Sequence, residues 1–171
     1  RENGGGRIEI SGGKLTIKMP REGAGINSYY DCVIKNADIS IVAAEQGIAV
    51  NGYATPSATF KGVTITTSKI YISTLGFTSN GNQGGIAGIK IYNAELSIFD
   101  SNVYIESRSC ISGNGEPTNL VFIKGASVVR LINPNRNDDS VLNAYLSTFD
   151  LSKGGSVTII RPAISSIIFA T

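Results

Sequence analysis

Apolar and polar residues alternate in short runs along this chain. Three residues in the order apolar-x-apolar are followed, after four or five polar or small residues, by a second run of the same kind. The first example is Ile8-Glu9-Ile10 with Leu15-Thr16-Ile17. A period of two is typical of a β-strand with one buried face. The pattern therefore predicts pairs of short strands joined by tight turns.

These pairs recur six times, and a third run separates successive pairs. The pairs begin at Ile8, Cys32, Val63, Leu96, Val121 and Phe149. The third run comprises Gly25-Ile26, Gly47-Ile48, Gly85-Ile86 and Cys110-Ile111, with Val141 or Leu142 as a fifth member. Three strands in each repeat of about two dozen residues indicate a parallel β-solenoid, whose repeats bury their apolar side chains only by stacking.

The predicted fold class is all-β, a single-stranded parallel β-helix of about six three-strand coils. An antiparallel sandwich is the alternative, because its strands also follow one another every 8–12 residues or so. The repeated internal register favours the solenoid. It predicts one buried column of six side chains: Ile10, Ile34, Ile65, Ile98, Ile123 and Leu151.

The domain prediction is a flexible lead-in over residues 1–6 and one β-helix domain over residues 7–171, as a segment of a longer protein. Three stretches interrupt the repeat and are expected to be loops: 51–59, 74–84 and 133–140. The stretch Ile164 to Phe169 is apolar and has no polar cap. An uncovered solenoid end favours aggregation, so we expect further domains of the same chain, or a partner, to cover it.

Composition supports a folded β-protein and excludes several function classes. The chain has 24 Ile against 8 Leu, and 42% of its residues are hydrophobic. A net charge of +2 is too small for a nucleic-acid-binding surface, and no apolar run is long enough for membrane insertion. Histidine is absent, which removes His-dependent triads. Cys32 and Cys110 fall in different columns, so we expect two separate thiols.

The glycine-isoleucine pairs, together with units such as Ile-Ser-Gly-Gly-Lys-Leu-Thr-Ile at residues 10–17, give the chain a family resemblance. This sequence pattern resembles the right-handed parallel β-helix of the pectate-lyase-like superfamily. Within that superfamily it is similar to the β-helix carbohydrate-binding domains of secreted bacterial proteins. The resemblance covers residues 7–160 and implies a right-handed coil, polysaccharide binding without cleavage, and in some members calcium.

The catalytic residues that the superfamily's enzymes carry are missing from this sequence. Its hydrolases use several Asp on neighbouring coils and a His, whereas this chain has six Asp and no His. Its lyases place a basic residue beside an acidic calcium cluster, and Arg130, Pro134 and Arg136 do not match the spacing of one lyase pattern. We therefore predict no catalytic residue, and we keep a degenerate lyase or hydrolase as an alternative.

Two tyrosines provide the candidate carbohydrate site. The outward residues of the second strand are Thr16, Ser40, Tyr71, Tyr104, Val129 or Arg130, and Thr158. Tyr71 and Tyr104 would lie on adjacent coils, with flat apolar faces edged by hydroxyls that suit sugar rings. The alternative is that this pair only stabilises the sheet. Tyr71, Tyr104 and Arg130 are the predicted binding residues, with Arg130 outward only if its turn is one residue longer.

A metal site is not predicted, although calcium has a weak signal. Asn135, Asn137, Asp138 and Asp139 offer the oxygen ligands that calcium prefers. Their spacing does not match a calcium loop, so an ordinary solvated loop is the expected reading.

The sequence therefore predicts a non-catalytic, secreted or cell-surface β-helix module that binds a polysaccharide or cell-surface glycan. The main alternative is a structural or adhesive segment of a surface or appendage protein.

Overall fold

The computed structural model describes residues 6–21, 23–51, 62–74, 87–114, 119–133, 141–143 and 146–160. These residues form strands and turns, and no helix occurs among them. Nor is there, within these ranges, a helix that is long and apolar enough to cross a membrane.

The strands belong to three parallel ladders. Ladder A contains β1 (Ile8–Ser11), β4 (Asp31–Lys35), β7 (Gly62–Thr66), β10 (Glu95–Phe99), the first half of β13 (Asn119–Ile132) and β15 (Leu146–Asp150). Ladder B contains β2 (Lys14–Met19), β5 (Asp38–Ala43), β8 (Lys69–Thr74), β11 (Asn102–Glu106), the second half of β13 and β16 (Gly154–Ile160). Ladder C contains β3 (Ala24–Ser28), β6 (Gln46–Asn51), β9 (Ala87–Tyr92), β12 (Ser109–Asn114) and β14 (Leu142–Asn143).

Every strand pair in the described ranges is parallel, which contradicts the antiparallel sandwich. Up to β10, each strand pairs with the strand three places later in the chain, so one repeat lies against the next. The long strand β13 joins ladders A and B into one curled sheet. The prediction of an all-β chain of parallel strands is confirmed, and the arrangement is compatible with a β-solenoid.

The core is a set of apolar columns enclosed by the three ladders. Five members of the predicted column pair in register: Ile10, Ile34, Ile65, Ile98 and Ile123. The last four are fully buried, and Ile10, in the end strand β1, is half-buried. Equivalent columns run along ladder B through Ile41 and Ile72. Because similar side chains stack from one strand to the next, β-branched residues can fill this core.

The sixth member of that column, Leu151, is a wrong prediction. Strand β15 ends at Asp150, and Leu151 is 41% exposed. The physical reason is a side-chain hydrogen bond: the Ser152 N–H donates to Asp150 Oδ1 over 2.7 Å. An aspartate that binds the backbone two residues later favours a turn, so the chain leaves the strand before Leu151.

The glycine column along ladder C contains one wrong assignment. Ile48 pairs with Ile89, so Gly88-Ile89 holds the place predicted for Gly85-Ile86, which lies outside the described residues. The fifth member is Leu142, which pairs with Ile111. Glycine is required here by space, because a Cβ on Gly88 would overlap the Ile105 side chain and the Cys110 carbonyl oxygen.

Buried serines close the corner between ladders A and B. The backbone turns there through left-handed residues, Thr67 before Ser68 and Asp100 before Ser101, both with φ of 48°. The Ser68 N–H donates to Ser101 Oγ, and the Ser101 N–H donates to Ser127 Oγ, over 3.1 and 3.3 Å. Each hydroxyl therefore satisfies a buried N–H of the preceding repeat, which would otherwise cost free energy.

Several predictions fall on residues that the structure does not describe. They are residues 1–5 of the lead-in, residues 52–59, 75–84 and 134–140 of the loops, and the stretch 164–169. The loop that contains Asp138 and Asp139 belongs to this group. Gly6, the last residue of the lead-in, is described, and its carbonyl oxygen accepts a hydrogen bond from Ser28 Oγ.

We predict that Ile65→Ala lowers the free energy of unfolding by about 2–5 kcal/mol, because it opens a cavity in a fully buried column. Chemical denaturation followed by circular dichroism measures the change. Thr64→Ala is the matched control, since Thr64 is on the outer face of the same strand. Equal effects of the two substitutions would contradict the assigned inward face.

We also predict that Ser101→Ala costs about 1–3 kcal/mol, because it leaves the buried Ser68 N–H without its acceptor. The same denaturation experiment measures it. Ser11→Ala is the control, as Ser11 is exposed. If Ser101→Ala leaves the denaturation midpoint unchanged, the stability of the corner does not depend on this serine.

Candidate functional site

The outer face of ladder B carries the predicted site residues in one column. Successive Cα partners along it are Thr16, Ser40, Tyr71, Tyr104, Arg130 and Thr158. Tyr71, Tyr104 and Arg130 therefore occupy neighbouring strands β8, β11 and β13 at the same strand position. The structure brings together all three residues that the sequence singled out.

The open choice between Val129 and Arg130 is resolved in favour of Arg130. Val129 is fully buried and pairs with Val103, whereas Arg130 and Val128 are exposed. The corner of β13 has three residues between Lys124 and Val128, where the preceding repeat has two between their partners Phe99 and Asn102. The longer corner shifts every later residue by one, which changes the face on which it lies.

Tyr71 and Tyr104 form a stacked pair. Their ring centroids are 5.3 Å apart and their planes differ by 17°. Tyr71 is 40% exposed and Tyr104 is half-buried, so the pair is accessible on the solvent side. The predicted contact between the two rings is confirmed.

A shallow depression of about 280 Å³ contains this pair. It extends along ladder B from β5 to β13, and a second outward column forms its other side: Asp38, Lys69, Asn102 and Val128. Sequence reasoning missed these four residues because it followed a single column. The signal was present, since each precedes a member of the first column by two residues and so shares its face.

The Tyr104 hydroxyl remains a neutral donor at physiological pH, because its pKa is raised. Partial burial raises the pKa of Tyr104 above its ordinary value, and electrostatic interactions with Glu106 and Tyr71 raise it further. Arg130 opposes the shift. The depression presents two aromatic rings with their hydroxyls, an amide from Asn102, the carboxylate of Asp38 and the cations Lys69 and Arg130.

The two cysteines are separate and buried. Both are free, and they lie in different ladders, Cys32 in β4 and Cys110 in β12. Burial raises the pKa of each thiol to about 12. Cys110 Sγ also lies 3.4 Å from the Ile132 carbonyl oxygen. Thiols in this state are poor nucleophiles, because the reactive form is the thiolate.

Among the described residues, no group of three or more His, Cys, Asp or Glu side chains is placed to hold a metal ion. The weak calcium candidates, Asn135, Asn137, Asp138 and Asp139, lie outside the described residues.

Comparison of the chain with protein-family models, with curated proteins and with solved structures gives no match. The site is therefore interpreted from its own geometry.

We predict that neither thiol of the folded protein reacts with a disulfide reagent such as Ellman's reagent at pH 8, and that both react after denaturation. Since the folded pKa of about 12 exceeds the ordinary thiol value of 9.0, the thiols favour the folded state below pH 9 and cease to do so as the pH rises towards 12. Spectrophotometric titration counts the thiols. Rapid reaction of one thiol in the native protein would show that it is accessible.

Proposed function

We propose that this protein is a non-catalytic, secreted or cell-surface module that binds polysaccharide on the outer face of ladder B. We further propose that its three ladders are the sides of a right-handed parallel β-helix of six coils. The observation that carries the function is the stacked pair of Tyr71 and Tyr104 in a depression edged by polar groups.

The pair suits sugar rings for a physical reason. A pyranose has an apolar face and a rim of hydroxyls, so it packs on an aromatic ring while its rim forms hydrogen bonds. Here Asn102 lines the same depression as the two rings, and each ring carries a hydroxyl of its own. Partly exposed aromatic rings also lose little conformational freedom on binding, since Tyr has only two side-chain torsions.

The ladder geometry supports a polymer rather than a single sugar. Neighbouring strands are about 4.8 Å apart, so equivalent side chains repeat along the ladder at a pitch close to the advance of one pyranose in an extended chain. The depression extends over strands β5, β8, β11 and β13. A linear glycan lying across these strands would contact one strand per sugar.

A structural or adhesive segment of a surface or appendage protein is the second candidate. It is favoured by the described end of the ladders, where β1, β2 and β3 each pair on one side only. The inward residues Ile8, Ile10, Leu15 and Ile17 are only partly buried there. A free sheet edge with partly exposed core residues is suited to pairing with further strands. A degenerate lyase or hydrolase is the third candidate.

We predict that Tyr71→Ala with Tyr104→Ala abolishes glycan binding while lowering the free energy of unfolding by only about 1 kcal/mol, the value of one cross-strand pair. Binding is measured on a polysaccharide array, with and without calcium, and then by calorimetry. Stability is measured by thermal unfolding. Tyr29→Ala is the matched control, since Tyr29 is 52% exposed and lies outside ladder B.

Binding that survives loss of both rings would contradict the proposed site. Absence of binding to every polysaccharide by the unmodified protein would favour the structural or adhesive function. Release of sugar products during incubation would support the degenerate enzyme instead.

A further inference from the structure

Two cations lie near the tyrosine pair, one on the strand of Tyr71 and one beyond Tyr104 along the ladder. Lys69 is in β8, two residues before Tyr71, and Arg130 is in β13, next to Tyr104. These strands are two places apart in ladder B, which separates the two side chains by about 10 Å along the ladder. Both cations line the depression that holds the stacked rings.

Arg130 forms no ion pair among the described residues, and the one carboxylate near it on this face, Glu106, is diagonal to it and does not line the depression. Its ladder neighbours are Tyr104 and Thr158, and Val128 and Ile132 flank it in β13. The described ion pairs all involve Glu9, on ladder A. Lys69, by contrast, has Asp38 as its neighbour on β5. The positive charge of the depression is therefore concentrated at its β13 end.

From this asymmetry we infer that the site selects an anionic glycan, and that Arg130 receives a carboxylate or sulfate of the sugar next to the one stacked on Tyr104. This inference rests on the proposed function. A guanidinium binds planar or tetrahedral anions through parallel N–H donors, which makes it selective as well as attractive.

The same asymmetry orients the polymer. An anionic group at the β5 end of the depression would meet the Asp38 carboxylate, whereas at the β13 end the charged lining residue is Arg130, with Glu106 outside the lining. Asp38 and Lys69 together instead suit neutral hydroxyls, which accept and donate hydrogen bonds. The bound polysaccharide therefore lies along ladder B with an acidic sugar at β13 and a neutral sugar at β5.

The experiment compares matched glycans. Alginate oligomers are tested against their carboxyl-reduced form, and carrageenan oligomers against their desulfated, neutral form, by calorimetry at low and moderate salt. The variants are Arg130→Gln, which removes the charge, and Arg130→Lys, which keeps the charge but lacks the parallel N–H donors of the guanidinium. Lys18→Gln is the control, because it removes an exposed positive charge from the same face at β2.

We expect Arg130→Gln to weaken binding of the acidic oligomer by at least about tenfold and to leave the neutral form unchanged. Arg130→Lys should retain part of the preference, and Lys18→Gln should have no effect. Which matched pair shows the preference identifies the anion as carboxylate or sulfate.

Other results overturn the inference in distinguishable ways. Equal binding of acidic and neutral oligomers, lost with the tyrosines but not with Arg130, would refute anion selection and leave glycan binding intact. Equal losses in Arg130→Gln and Lys18→Gln would show unspecific attraction, again against selection. Absence of binding to all oligomers would refute both proposals together.

Discussion

Hydrogen bonding between parallel strands in a fixed register is the constraint on which the rest of this structure depends. Each strand lies about 4.8 Å from its equivalent, so every side chain must be compatible with the same position one repeat away. Inside, this requirement produces columns of isoleucine such as Ile34, Ile65 and Ile98. Outside, it brings Tyr71 against Tyr104. Core and candidate site are consequences of one register.

Corners are where this register is maintained. A parallel strand that turns sharply leaves N–H groups that no ladder satisfies, and Ser68, Ser101 and Ser127 supply acceptors for them. Asp100 contributes from the same corner, because its Oδ1 accepts the Ala126 N–H over 2.8 Å. On ladder C, Gly47 and Gly88 admit the close approach of Ile72 and Ile105. Small and polar residues thus stabilise the register at the corners, as isoleucine stabilises it in the strands.

Much of this architecture could be predicted from the sequence, because a period of two and a recurring spacing report directly on strands and their stacking. The errors came where a local feature changed the register of a strand. Asp150 binds the Ser152 N–H and ends the strand before Leu151. Gly85-Ile86 is a glycine-isoleucine pair like the others of the column, but the pair in register with Gly47-Ile48 is Gly88-Ile89. The depression was only partly predicted, because Asp38 and Lys69 become neighbours of the tyrosines through register and not through any motif.

The link between fold and candidate function is clearest at the corner of β13. One additional residue there, accommodated by Gly125 with a φ of 65°, places Arg130 outside and Val129 inside. A corner as short as the preceding one would shift the strand by one residue and bring Val129 beside Tyr104, with the guanidinium aimed at the core. Burial of an unpaired charge is costly enough to disfavour that register. The length of the corner, rather than the presence of arginine alone, thus determines the charge beside the tyrosine pair.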